Sequence, residues 1–304
     1  MKKFSIILLL LVICIPVLSC LNNNSSDGGK PTIVVTYSVL GSVVKELVGE
    51  QATVVVSIPN GLDPHEWEPS AKDIETINKA DLVIQNGLGL ESGLEKTLQK
   101  AKDNGVKFLT ATDYITLRYV GPGEGIPSGD PDQIIGTPDP HFWMDPTAMK
   151  SVVSAMATVL RQELNLDVTE RALNLGIRLD TLDNEIAEMI ASFSPDNRKL
   201  VTGHESMGYF AQRYNLKLVG VIIPSLSTQA EISAADLAAL KKAIEDNQVK
   251  VIFTELGTSM AVANTIGNET GVKVVELSTH ILPDDGSYFT FLLNVANTVN
   301  KALR

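Results

Sequence analysis

The stretch 167–195, DVTERALNLGIRLDTLDNEIAEMIASFSP, decides how this chain is organised. Its apolar residues Leu175, Leu179, Leu182, Ile186, Met189 and Phe193 step by 4, 3, 4, 3 and 4, which draws one stripe down a helix. The run opens near Asp167-Val168-Thr169-Glu170 and stops before Ser194-Pro195. The spacing therefore predicts an unbroken helix of about 25 residues, roughly 40 Å long. Its meaning depends on what lies on either side.

On both sides, short β-branched runs alternate with longer amphipathic stretches, the pattern of parallel sheets covered by helices. Before the helix the runs are Thr32 to Thr36, Ala52 to Ile58, Asp81 to Gln85 and Val106 to Thr110; after it they are Lys199 to Thr202, Leu216 to Val221, Val249 to Thr254 and Val272 to Glu276. Centre-to-centre gaps are 21, 28 and 25 residues in the first half and 19, 33 and 22 in the second. The two halves read as versions of one topology. The expected fold is α/β, with two similar lobes, each holding a mainly parallel four-stranded sheet, over residues 31–165 and 195–304. Residues 166–194 form the helix that joins them. The competing reading makes that helix an ordinary surface element of one large domain.

The N-terminus is read separately. Lys2 and Lys3 precede an apolar run from Phe4 to Leu18, shorter than the ~20 residues of a membrane-spanning helix. Residues 1–19 read as a secretory signal. Its end, Val17-Leu18-Ser19-Cys20, resembles a bacterial lipobox, with lipid on the Cys20 sulfur. The polar residues that follow make 20–30 a flexible tether. The expected location is the extracytoplasmic face of the cell membrane, at the cell surface or in the periplasm.

Of the 304 residues 44% are apolar, enough for real cores, and 36 acidic against 25 basic side chains give a net charge of −11. That sign, with no Lys/Arg-rich run, argues against a nucleic-acid partner. The only cysteines are Cys14 and Cys20, which excludes a thiolate metal site and leaves His, Asp and Glu as ligating types.

The chain has only four histidines, and none sits in a helical stripe. His65 lies in the turn Asp63-Pro64-His65-Glu66-Trp67-Glu68-Pro69 after the second strand. His141 lies in Asp139-Pro140-His141-Phe142-Trp143-Met144-Asp145-Pro146, just before a helix. His204 leaves its strand through Gly203, and His280 follows the last strand. Ligands of parallel α/β sheets bind outside the carboxyl ends of strands, so two His from each half would meet in the cleft between lobes. Neutral imidazole is a favoured zinc ligand, and the prolines stiffen the turns that present it. Asp63, Asp139 and Asp145 flank these histidines, placed to cap turns or to accept the second imidazole N–H.

These motifs, together with Asn86-Gly87-Leu88-Gly89-Leu90-Glu91, Gly203-His204-Glu205 before Tyr209-Phe210, and Phe253-Thr254-Glu255, make the whole mature chain resemble the cluster A-I metal-binding solute-binding lipoproteins of bacterial zinc and manganese ABC importers. The resemblance implies two α/β lobes on one long helix, one metal in the cleft, a monomer, and delivery of the ion to an ABC permease. Two departures matter. Residues 118–138 hold Asp130 and Asp132 but none of the histidines that form a metal-collecting loop in many zinc importers. Where the family usually places an acidic fourth ligand, this chain has Ser278-Thr279-His280, followed by Asp284 and Asp285. The expected site is His65, His141, His204 and His280, with Asp285 as the alternative fourth ligand. Nitrogen donors favour Zn²⁺ over Mn²⁺, which prefers carboxylate oxygen. One long connecting helix offers few hinge points, which implies a small closure on binding.

A zinc metallohydrolase is the rival class, with Glu66 or Glu205 as general base. Against it, there is no His-Glu-x-x-His helix, and Ser206 lacks the glycine two residues earlier that a nucleophile elbow needs. A lipid-anchored adhesin on the same fold is the third reading.

Overall fold

The β-branched runs become eight strands. The structure, a computed structural model, describes residues 29–121, 124 and 135–304. Cys20, the signal, Asp130, Asp132 and nearly all of the tether lie outside the described residues. Strands β1 (Thr32–Tyr37), β2 (Thr53–Ile58), β3 (Leu82–Gln85) and β4 (Phe108–Thr110) pair in the order β2-β1-β3-β4. Strands β5 (Lys199–Thr202), β6 (Lys217–Val221), β7 (Val251–Thr254) and β8 (Lys273–Glu276) pair in the order β6-β5-β7-β8. Every pairing between these strands is parallel. The two sheets share one topology, as the matched spacings predict.

Helices α1 (Ser38–Val48), α2 (Ala71–Asn78), α3 (Glu95–Asp103) and α4 (Pro146–Leu164) belong to the first half. After α5 (Thr169–Ala191) come α6 (Gly208–Arg213), α7 (Ala234–Asn247), α8 (Met260–Thr270) and α9 (Tyr288–Leu303).

Six strands begin one or two residues later than the sequence suggests, four of them for one shared reason. The Val106, Leu216, Val249 and Val272 N–H groups donate to Ala101, Ala211, Ile244 and Gly267 carbonyls, 2.9–3.0 Å away. Each bond reaches back five residues and closes the preceding helix. The residue before each one, Gly105, Asn215, Gln248 or Gly271, has positive φ, as this helix-ending motif requires. These valines and the leucine thus end a helix before their strand starts.

The stripe of 167–195 forms α5, 23 residues long, with Leu175, Leu179, Leu182, Ile186 and Ile190 buried. Met189 is only half-buried and Ile190 takes its place, because a 3.6-residue turn drifts against the 4-3-4 count. The helix does not bridge alone. It packs antiparallel to α4 after a four-residue turn in which Asn165 adopts φ 54°, and it touches α1 and α9 as well. Its Asp183 accepts from Arg213 Nε (2.8 Å) and Tyr214 OH (3.1 Å) in the second half. On the other side, Arg178 pairs with Glu46 of α1.

Most buried apolar side chains form one cluster that runs through both halves. The second sheet divides its side chains with period two. Leu200, Leu218, Val251 and Phe253 join the shared cluster, while Val201, Val219 and Ile252 pack under α7 and α8. The carboxyl ends of β5 and β7 are therefore held against the first half, and His204 and Glu255 stand just past them.

Candidate metal centre

Two of the four histidines are presented by the same local device. In Asp63-Pro64-His65, Asp63 Oδ1 accepts the His65 N–H at 2.9 Å; in Asp139-Pro140-His141, Asp139 Oδ1 accepts the His141 N–H at 2.9 Å. A carboxylate bonding the backbone two residues on makes an Asx turn, and the intervening proline fixes φ within it. The third flanking acid, Asp145, accepts the Thr147 N–H at 2.7 Å and caps α4, with Pro146 at the first helical position.

His204 sits in extended backbone just past β5, its N–H donating to Glu255 Oε1 at 3.0 Å. Gly203 is required here, since a Cβ would lie 2.1 Å from Thr258 Oγ1 and 2.7 Å from Glu255 Cγ. His280 follows β8, and the preceding Thr279 carbonyl accepts Trp143 Nε1–H from the first half at 2.9 Å.

These four placements converge. All four side chains are buried, and one nitrogen from each lies within 4.8 Å of all the others. His141 Nε2 is 3.3 Å from both His65 Nε2 and His204 Nε2. At a Zn–N distance of ~2.0–2.1 Å, neighbouring nitrogens of a tetrahedron stand about 3.3 Å apart.

Outer contacts fix which nitrogen faces inward. His141 Nδ1 is 2.9 Å from Asp139 Oδ1, and Arg118 Nη1 braces the other oxygen of that carboxylate at 3.0 Å. His204 Nδ1 lies 3.2 Å from Glu255 Oε1 without making a hydrogen bond, a contact that becomes ionic when the imidazole is protonated. His280 Nδ1 is 2.8 Å from Thr279 Oγ1, and its buried Nε2 has no hydrogen-bond partner. With Nδ1 carrying the proton, three Nε2 lone pairs point into one space. Such an arrangement is repulsive by itself and suited to a cation.

Burial lowers the pKa of His65, His141 and His280 well below the ordinary value, and the neighbouring imidazoles lower it further. At His204 burial also pulls downward, but Glu255, Asp63 and Asp139 together outweigh it and raise the pKa. Burial pushes Asp139 up to about 6 despite Arg118. Burial likewise opposes ionisation of Glu255, yet His204, His280 and Ser206 hold its carboxyl well below the usual range. Glu205 is buried with neither oxygen hydrogen-bonded, and burial raises its pKa strongly.

The alternative fourth ligand is placed elsewhere. Asp285 is exposed, accepting the Ser287 N–H at 3.0 Å and the Thr290 hydroxyl at 2.7 Å at the start of α9. Glu66 is exposed, and neither it nor Glu205 joins the four-nitrogen group. Sequence reasoning assigned no role to Arg118, Glu255 or Thr279. Glu255 lay inside the quoted motif Phe253-Thr254-Glu255, so its position at the end of a strand was the available signal. Arg118, far from any motif, offered none.

The sequence model of the family described as ZnuA, zinc-uptake complex component A, periplasmic, matches residues 33–302. The chain is 33% identical over 282 residues to zinc-binding lipoprotein AdcA of Streptococcus pneumoniae (strain ATCC BAA-255 / R6), covering 90% of this chain and 54% of that protein. It thus spans about half the length of that relative. It is 30% identical over 287 residues to high-affinity zinc uptake system protein ZnuA of Bacillus subtilis (strain 168), covering 91% of this chain and 89% of that one. The solved structure of periplasmic zinc binding protein TroA from Treponema pallidum is similar in fold, with TM-score 0.77 and 24% identity over 90% of this chain and 99% of that chain.

Proposed function

The chain belongs to the zinc-uptake complex component A family, and from that premise we propose that it captures a divalent transition metal, zinc first, outside the cytoplasm and hands it to an ABC permease. His65, His141, His204 and His280 hold the ion as substrate. The carrying observation is the pair of 3.3 Å Nε2–Nε2 separations, the edge length of a zinc–imidazole tetrahedron. Manganese, which favours more oxygen donors, is the poorer match to four nitrogens. All four donors come from one chain, which supports action as a monomer. Residues 31–165 and 195–304 serve as the lobes, joined through 166–194, and Cys20 carries the lipid that keeps the protein at the membrane. Among the described residues no helix is long and apolar enough to cross it.

A hydrolase needs a coordination position for water. Four imidazoles fill a tetrahedron, which favours carriage over catalysis. Native mass spectrometry of the purified protein given equal zinc and manganese tests the proposal. One zinc per chain, undisturbed by manganese, is expected; preferential manganese loading, or hydrolysis of esters by the zinc-loaded protein, overturns it.

A further inference from the structure

Strand β7 lies between β5, which leads to His204, and β8, which leads to His280. The residue just past its end is Glu255, and its buried carboxylate reaches to both sides. Oε1 accepts the His204 N–H at 3.0 Å and faces His204 Nδ1 at 3.2 Å. Oε2 accepts the Ser206 hydroxyl at 2.6 Å and the Thr279 hydroxyl. Thr279 has one hydroxyl proton, and Glu255 takes it. Toward His280 Nδ1, at 2.8 Å, that oxygen can only accept, so His280 carries its proton on Nδ1 and its lone pair on Nε2.

The two carboxylates behind the histidines are not equivalent. Asp139, behind His141, already pairs with Arg118, which also pairs with Glu124. Glu255 pairs with no Lys or Arg among the described residues, and the one ionisable base it faces is His204, uncharged when it holds a metal. Four neutral imidazoles leave the +2 of a bound ion uncompensated, and Glu255 is the nearest buried anion not already shared with a fixed cation.

We propose that Glu255 is a positioning residue that orients His204 directly and His280 through Thr279, and that its unshared charge makes the site select doubly charged over singly charged ions. This rests on the reading of the four histidines as the ligand set. A charge beside the site acts on an ion in proportion to that ion's own charge, whereas misplaced ligands weaken every imidazole-binding ion alike. The two roles therefore separate in a comparison of Zn²⁺ with Ag⁺.

The experiment uses the full chain, with affinities for both ions measured by chelator competition. Glu255→Gln keeps the shape and removes the charge. Zinc affinity is expected to fall ~10- to 100-fold, the range for losing a partner behind a metal-bound histidine, and silver affinity by its square root, about 3- to 10-fold. Glu255→Asp keeps the charge and is expected to keep the wild-type ratio of the two affinities. Equal losses for zinc and silver in Glu255→Gln, or none, overturn the proposal. Should Glu255→Gln not fold, Thr279→Val is read by imidazole ¹⁵N NMR of the metal-free protein. His280 is expected to lose its Nδ1–H form; an unchanged tautomer overturns the relay. Wild-type protein that binds no single zinc overturns the ligand set, and this inference with it. A wild type binding one zinc, with an unmoved ratio in Glu255→Gln, overturns this inference alone.

Discussion

The local sequence Asp-Pro-His occurs twice, and both times the aspartate grips the histidine's own backbone, so the backbone that presents two of the four imidazoles is fixed by local bonds. The other two depend on Glu255, a residue of neither turn. If His280 completes the site, His280→Ala weakens zinc binding by at least ~10- to 100-fold in a chelator competition, a range already typical of losing a partner behind a ligand. Asp285→Ala leaves affinity unchanged and lowers stability only slightly, as expected for an exposed residue that only helps to start α9. The reverse pattern would make the site three histidines and a carboxylate. The pH response follows from burial. Four ordinary imidazoles would all protonate below about pH 6.5, so affinity would collapse by several powers of ten per pH unit. Here His204, with its raised pKa, charges first, while His65, His141 and His280 stay neutral well below 6.5. One imidazole proton then competes with the metal near neutrality. Zinc affinity is expected to fall by about tenfold per pH unit once pH drops below the raised His204 pKa, and to steepen as Asp139, behind His141, protonates near 6. A titration with a several-proton slope already at pH 6 would contradict this. All four histidines were legible because a strand end and a proline turn leave marks in sequence. The pKa order was not, since it depends on residues distant in sequence that bury each imidazole.

At the scale of elements, the apolar stripe was legible because helix period survives in sequence whatever surrounds it. The partnership of α5 with α4 was not, because it depends on a turn at Asn165 and on faces that only pack in three dimensions. The strands were legible for the same reason as the stripe, and their starts were blurred where a β-branched residue also closes the helix before it. Val106 and Val249 satisfy strand propensity and helix termination at once, and only the bond back to Ala101 or Ile244 reveals which comes first. The stripe also makes an energetic prediction. Leu179 is buried against the shared core, so Leu179→Ala removes apolar contact and leaves a cavity, costing ~2–5 kcal/mol in denaturant unfolding. Leu173, six residues earlier, is 66% exposed, and Leu173→Ala should change stability by no more than about 0.5 kcal/mol. Equal costs would mean that α5 does not bury the face its sequence marks.

For the whole molecule, the question is how far the halves move when an ion enters. The shared core and the contacts of α5 with α1 and α9 tie the halves together away from the site. At the site side, Asn60 bonds the Leu282 backbone twice, at 2.8 and 2.9 Å; Thr228 donates to Asp63 at 2.8 Å; and Gln229 donates to the His65 carbonyl at 2.5 Å. Opening the cleft as rigid lobes would break these bonds and expose apolar surface, whereas shifting the segment carrying Thr228 and Gln229 would break only two of them. The lower-cost route to the ion is therefore local. Small-angle scattering should show nearly the same radius of gyration with and without zinc. Gln229→Ala, which removes the bond from this segment to the His65 carbonyl while Ser92 still donates to it and no proposed ligand is lost, should raise the zinc dissociation rate several-fold in stopped-flow transfer to a chelator, with little effect on the association rate. A large change in radius of gyration on zinc binding, or an unaltered dissociation rate in Gln229→Ala, would move the gate from this segment to the lobes as a whole.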